Sequence, residues 1–282
     1  MNRTFALAAP LSLALGLGGC AGEAPEAPAP RAEVAPVATF SVPQRLGYVW
    51  WTFAGEAPIR TLELRFTIPE DYPRDGLRVT LAEVRVVAPG GASPAELCLG
   101  FASRSRARPR AAQFSRSGSA TAADARPAAG GWSLPPDPAG ASLGVANAFA
   151  WAAGTYLARL EWRRGDAQGV WYGFTLAHEA SGDVFDAGEL RFPPGATLQP
   201  AVGSWIELTG GPNVAAQVPP WELVLEPPRA DGAPPLAAST AYGALENVDV
   251  SVDRERGSAR LRFGGATPRR HAAGSFSLSG VR

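Results

Sequence analysis

The stretch from Tyr156 to Phe192 restricts this chain most. Tyr156, Ala158, Leu160 and Trp162 alternate with Leu157, Arg159, Glu161 and Arg163, and after a Gly-Asp break Val170, Tyr172, Phe174 and Leu176 alternate with Trp171, Gly173, Thr175 and Ala177. A third run, Val184 to Phe192, follows the turn Ala180-Ser181-Gly182-Asp183. Successive side chains on a strand point to opposite faces, so this alternation between Gly, Asp and Ser breaks specifies an antiparallel meander with one buried face. No window keeps apolar residues at helical spacing over three turns. The fold class expected is all-β: an antiparallel β-sandwich, jelly-roll or concanavalin-like, with a short C-terminal β appendage.

The rest of the chain supplies the other strands. Leu62, Leu64, Phe66 and Ile68 alternate with Glu63, Arg65 and Thr67 up to Pro69, and Leu77 to Val87 ends at Pro89-Gly90-Gly91. Further strands are expected over Gly47 to Phe53, Leu97 to Phe101, Ser142 to Trp151 and Ala201 to Thr209, and over Trp221 to Leu225, which prolines fence on both sides because proline cannot donate to a ladder. After a Pro/Gly-rich link from Arg229 to Leu236 come three short runs, Asn247 to Val252, Ala259 to Phe263 and Ser275 to Val281. About fifty residues bury too little surface to stand well alone, so these are expected to pack on the main sandwich or extend it.

Composition narrows the partners. The 26 basic residues, all Arg, balance 26 acidic ones, so bulk charge gives no support for nucleic acid. Arginines recur at Arg104, Arg106, Arg108, Arg110 and Arg116, but without neighbouring aromatics or glycines to build a phosphate cradle; a solvated hairpin face is expected there. The first twenty residues read as a targeting segment: Arg3, then an apolar run from Phe5 to Leu17 that is too short to span a membrane as a helix of about 20 residues.

Chemistry-bearing residues are sparse. His178 and His271 lack a nucleophile motif, and no Gly-x-Ser-x-Gly elbow exists. Asp183 and Asp186 are too few to hold calcium, which takes six to eight oxygens, and zinc lacks its Cys/His pairs, so no metal site and no cofactor are expected. Cys98, in an apolar run, reads as a small inert hydrophobe. Paired carboxylates beside aromatic platforms are what a sugar-cleaving cleft uses, which nominates Glu161 beside Trp162, Glu207 near Trp205 and Glu222 beside Trp221 as weak catalytic candidates. Trp51, Trp132, Trp151 and Trp171 are candidates for exposed surfaces that stack on a ligand, although large aromatics more often fill cores. Trp50 and Trp51 face opposite ways, so one of the two is expected in the core.

Two resemblances extend this reading. Leu17-Gly18-Gly19-Cys20 resembles the lipobox of bacterial lipoproteins, which implies cleavage before Cys20, lipidation of Cys20 and a membrane as partner. Ala21 behind it implies outer-membrane sorting. Two or three acyl chains, at about 0.8 kcal/mol per buried CH₂, make such anchoring nearly permanent. Separately, Trp50 to Phe53, the stretches SLGVANAFAWAAGTYLARLEW, WYGFTL, SGDVFDAGELRFP and WIELTGGPN, and PPWELVLEPPRADG resemble a family of secreted bacterial β-sandwich domains over residues 42–232. That family supplies no agreed catalytic residues. The domain reading is a signal peptide over 1–19, a lipidated Cys and Ala/Pro-rich tether over 20–39, the sandwich over 40–228, and a short β unit over 229–282. The function expected is a non-catalytic, membrane-anchored envelope binding module with a glycan as its ligand. The open alternatives are a glycan-active hydrolase and a purely structural envelope protein. The sequence leaves oligomeric state undetermined.

Overall fold

The structure is a computed structural model that describes residues 44–55, 58–89, 95–104, 108–134, 142–209, 217–243, 245–253, 257–270 and 275–277. Cys20, the tether and His271 lie outside the described residues. Two antiparallel sheets pack face to face. Across sheet A run β18 (Ser275–Ser277), β15 (Ala237–Tyr242), β1 (Gln44–Thr52), β12 (Thr197–Leu208), β3 (Leu77–Val87), β4 (Ala95–Ala102), β5 (Ala111–Ser117), β8 (Ser142–Ala148) and β7 (Trp132–Leu134). Across sheet B run β16 (Val248–Asp253), β17 (Ser258–Phe263), β13 (Trp221–Leu225), β2 (Thr61–Ile68), β9 (Gly154–Asp166), β10 (Gly169–His178), β11 (Val184–Phe192) and β6 (Ala125–Pro127), with β14 (Arg229–Ala230) also pairing with β2. A 3₁₀ turn spans Ala122–Asp124, and among the described residues no helix is long and apolar enough to cross a membrane.

The alternation in the sequence maps directly onto burial. On β2, Leu62, Leu64, Phe66 and Ile68 are all buried while Glu63, Arg65 and Thr67 turn outward. The β9–β10–β11 meander forms with Tyr156, Ala158 and Leu160 facing Tyr172, Phe174, Leu176 and Leu190 in one inter-sheet core. Phe66 of sheet B stacks on Phe101 of sheet A with ring centroids 5.4 Å apart, so aromatic contact crosses the space between the sheets. The C-terminal strands divide: β15 and β18 extend sheet A beyond β1, and β16 and β17 extend sheet B beyond β13.

Two polar devices tie strands together, one within each sheet. Trp51 Nε1 donates to Ser204 Oγ at 3.3 Å, and that hydroxyl donates to the Leu81 carbonyl at 2.6 Å, inside the core. Asp231, at φ 48°, accepts from the backbone N–H groups of Arg60 (3.1 Å) and Thr61 (2.7 Å), pinning the start of β2 to the turn after β14. Asp tolerates this left-handed conformation better than most residues.

Candidate functional site

The outward face of sheet A carries a trough. Gly203, Gly100 and Gly144 lie on it with Ala102, Ala111, Ala146 and Ala148, so the floor over β4, β5 and β8 is made of small residues. Gly100 is required there, since an added Cβ would stand 1.9 Å from the Val79 carbonyl oxygen. One flank is aromatic: the half-exposed Trp50 lies across Gly203, where an added Cβ would meet its ring at 2.5 Å. Beyond it, Arg45 stacks over Trp205 at 4.8 Å from the ring centre. On the other flank Arg108 stacks over the half-buried Trp132 at 5.2 Å.

Polar side chains from three adjacent strands meet on this floor. Register sets Gly203 of β12 beside Glu83 of β3, Glu83 beside Cys98 of β4, and Cys98 beside Ser115 of β5. Gln113 lies two residues from Ser115, and Arg78, Thr80, Cys98, Gly100, Gln113 and Ser115 line one shallow depression. Next to it the β3 ladder is irregular, shifting between Thr80 and Ala82. Bulges of this kind re-aim side chains and recur beside active sites.

The electrostatics single out Glu83. Burial pushes its carboxyl above the ordinary carboxylate range, the like charge of Glu96 adds to the rise, and Arg45 offsets part of it. Burial also pushes the Cys98 thiol up to about 12, with Glu83 contributing. A carboxyl that keeps its proton at higher pH, one strand from the depression that Cys98 lines, marks a candidate reactive group. Sequence reasoning missed Glu83. The available signal was one acid inside the apolar run Thr80-Leu81-Ala82-Glu83-Val84.

The nominated glutamates do not assemble. Glu207 is on the same face but is 5% exposed and paired with Arg78 at 3.1 Å. Glu161 and Glu222 belong to sheet B. Glu161 opposes Thr61 while Val224 opposes Thr67, so Glu222 aligns with position 69, eight residues along β2 from Thr61, or about 26 Å at about 3.3 Å per residue. Glu161 pairs with Arg163 at 2.8 Å, and Glu222 is held by Arg260 at 2.5 Å and Arg262 at 2.7 Å.

The expected exposure of tryptophans also needs correction. Trp51 is 0% exposed and Trp50, its neighbour, is the exposed one, because Trp51 faces Val202 across the ladder and bonds Ser204 within the core. Trp151 packs at 5.0 Å on Phe101 and donates to the Ala102 carbonyl at 3.0 Å, beneath Arg110. Trp171 does lie on the outward set of β10, but Arg126, Arg164 and Arg191 stack over it and bury it. The arginines expected as one solvated face serve different ends: Arg110 binds the Trp151 carbonyl at 2.6 Å, and Arg116 is buried, donating to the carbonyls of Arg191 and Ser119. Among the described residues no group of three or more His, Cys, Asp or Glu converges as a metal site would require.

No family model matches the chain, and no curated protein does. Solved structures do. Scytalido-glutamic peptidase with a transition state analog inhibitor is similar at 10% identity and a TM-score of 0.42, over 78% of this chain and 98% of that one. The same peptidase with a peptide-based transition state analog gives 10% identity and a TM-score of 0.41, over 78% and 98%. SCP-B, a member of the Eqolisin family of peptidases, in complex with the tripeptide Ala-Ile-His, gives 7% identity and a TM-score of 0.40, over 79% and 98%. The likeness is weak. The expectation of a non-catalytic glycan-binding module is corrected, since three of the four nominated stacking tryptophans, Trp51, Trp151 and Trp171, are buried.

Proposed function

We propose that the trough on sheet A is a hydrolytic site for the amide bonds of an extended polypeptide, with Glu83 as its acid and base. The observation that carries this reading is the register that sets Glu83 beside Cys98 and two strands from Gln113 on a floor of small residues; the raised Glu83 carboxyl supports it. Small residues keep the floor low, and the half-exposed Trp50 supplies an apolar bank beside the acid. Register sets the Cα atoms of Glu83 and Gln113 two strands and two residues apart, about 12 Å at ordinary sheet spacings. Two side chains reaching inward from that separation leave space for one carbonyl group and one water.

The chemistry follows from the residue types. The Glu83 carboxylate accepts a proton from water as the water oxygen bonds to the substrate carbonyl carbon. The Gln113 side-chain amide donates to the carbonyl oxygen as negative charge builds there. Glu83 then returns that proton to the nitrogen as the C–N bond breaks. General acid–base help of this kind contributes about 10²–10⁴ in rate.

A fluorogenic peptide library incubated with the full chain across acidic to neutral pH tests the proposal. Cleavage should fall at least about 100-fold in Glu83→Gln. No cleavage by the unaltered chain, or full cleavage by Glu83→Gln, rejects it. The reading also places this site at a membrane surface through acylated Cys20, on the strength of the Leu17–Cys20 sequence. Palmitate incorporation that survives Cys20→Ser would reject the anchor alone.

A further inference from the structure

A cleft of about 240 Å³ opens where the end of β2 meets the start of β13, lined chiefly by Pro69, Glu70, Pro220, Trp221, Glu222 and Arg262. Its apolar side is held rigidly. Trp221 donates from Nε1 to the Glu70 carbonyl at 2.7 Å and packs its ring against Tyr72 (5.9 Å) and Phe263 (5.7 Å). Two prolines with fixed φ flank it.

The polar side is unevenly satisfied. Both oxygens of Glu222 are engaged, one by Arg260 Nη1 at 2.5 Å and the other by Arg262 Nε at 2.7 Å. Two groups of opposite sign remain without a partner among the described residues: the Glu70 carboxylate and the terminal nitrogens of Arg262. A carboxylate attracts an ammonium, and the N–H fork of a guanidinium suits a carboxylate. The volume matches about eight waters at about 30 Å³ each, the bulk of one amino acid, and falls below the range of drug-sized pockets.

We propose that this cleft binds a free, zwitterionic amino acid: its ammonium on Glu70, its carboxylate on Arg262, and an aromatic or aliphatic side chain against Pro69, Pro220 and the exposed edge of the otherwise buried Trp221. The site is separate from the trough on sheet A and does not depend on catalysis there.

Isothermal titration of the full chain with L-phenylalanine tests this. A saturable heat with a dissociation constant in the millimolar range is expected, as for ordinary ligands of about a dozen atoms. N-acetylphenylalanine, which lacks the ammonium, and phenylalaninamide, which lacks the carboxylate, should each bind at least tenfold more weakly. Glu70→Gln should weaken phenylalanine at least tenfold without altering the fold, because its carboxylate has no partner among the described residues to lose. The absence of saturable heat, equal binding of either blocked compound, or unchanged affinity in Glu70→Gln overturns the proposal.

Discussion

Replacing Phe66 by alanine removes the ring that joins the two sheets. Phe66 is fully buried, with its ring stacked on Phe101 of sheet A at 5.4 Å and 16° and on Tyr156 of its own sheet at 5.3 Å and 18°. Truncation to Ala withdraws about 100 Å² of buried apolar surface, about 2.5 kcal/mol at about 25 cal/mol per Å². Two lost ring pairs at about 1 kcal/mol each bring the total to about 4.5 kcal/mol. That lies inside the roughly 3–5 kcal/mol seen for buried Phe→Ala changes. With a urea slope of about 3 kcal/mol/M, the midpoint should fall by about 1.5 M at unchanged slope. Phe66→Leu keeps most of the volume and should cost about 1.5–2 kcal/mol, chiefly the ring pairs. A double-mutant cycle of Phe66→Leu with Phe101→Leu should then show about 1 kcal/mol of coupling. A loss below about 2 kcal/mol in the alanine variant, or no coupling in the cycle, would refute the inter-sheet stack as a central source of stability.

Other consequences are testable on the same protein. Because the folded Glu83 carboxyl sits above its ordinary value near 4.3, folding is uncharged in cost below that pH and loses stability as pH rises through it toward the folded value. Glu83→Gln should therefore melt with the parent at acidic pH and above it at neutral pH; a lower melting temperature at neutral pH refutes the assigned environment. Asp231→Ala forfeits the bonds to the Arg60 and Thr61 amides and keeps a left-handed backbone, costing about 3 kcal/mol in chemical unfolding, whereas Asp231→Asn should cost about 1 kcal/mol. Equal losses in the two variants would contradict this. With its thiol pushed up to about 12, Cys98 should react only slowly with iodoacetamide near neutral pH and accelerate in strong alkali; rapid labelling at neutral pH would show an activated thiol instead.

Local sequence pattern was enough to place the strands and to say which of their side chains share a face. Period-2 alternation follows from pleated geometry, and burial obeys it from Leu62 to Ile68 and from Tyr156 to Leu160; it fails at Trp162, which is exposed, and over Trp171 to Phe174, all buried beside a ladder irregularity. Alternation does not say what covers a face. Trp171 sits on the outward set as read, yet three guanidiniums brought from β6, β9 and β11 close over it. Trp50 and Trp51 were bound to face opposite ways, and pairing with β12 sets Trp51 beside the buried Val202 and Trp50 beside Gly203 on the outward face. Glu83, Cys98 and Gln113 come from three different strands, and only inter-strand register makes neighbours of them. Placement of the last strands, divided between two sheets, likewise rests on contacts with β1 and β13 far away in the chain. Local pattern fixes the orientation of each strand's side chains; long-range pairing decides which strands, and so which chemistry, stand side by side.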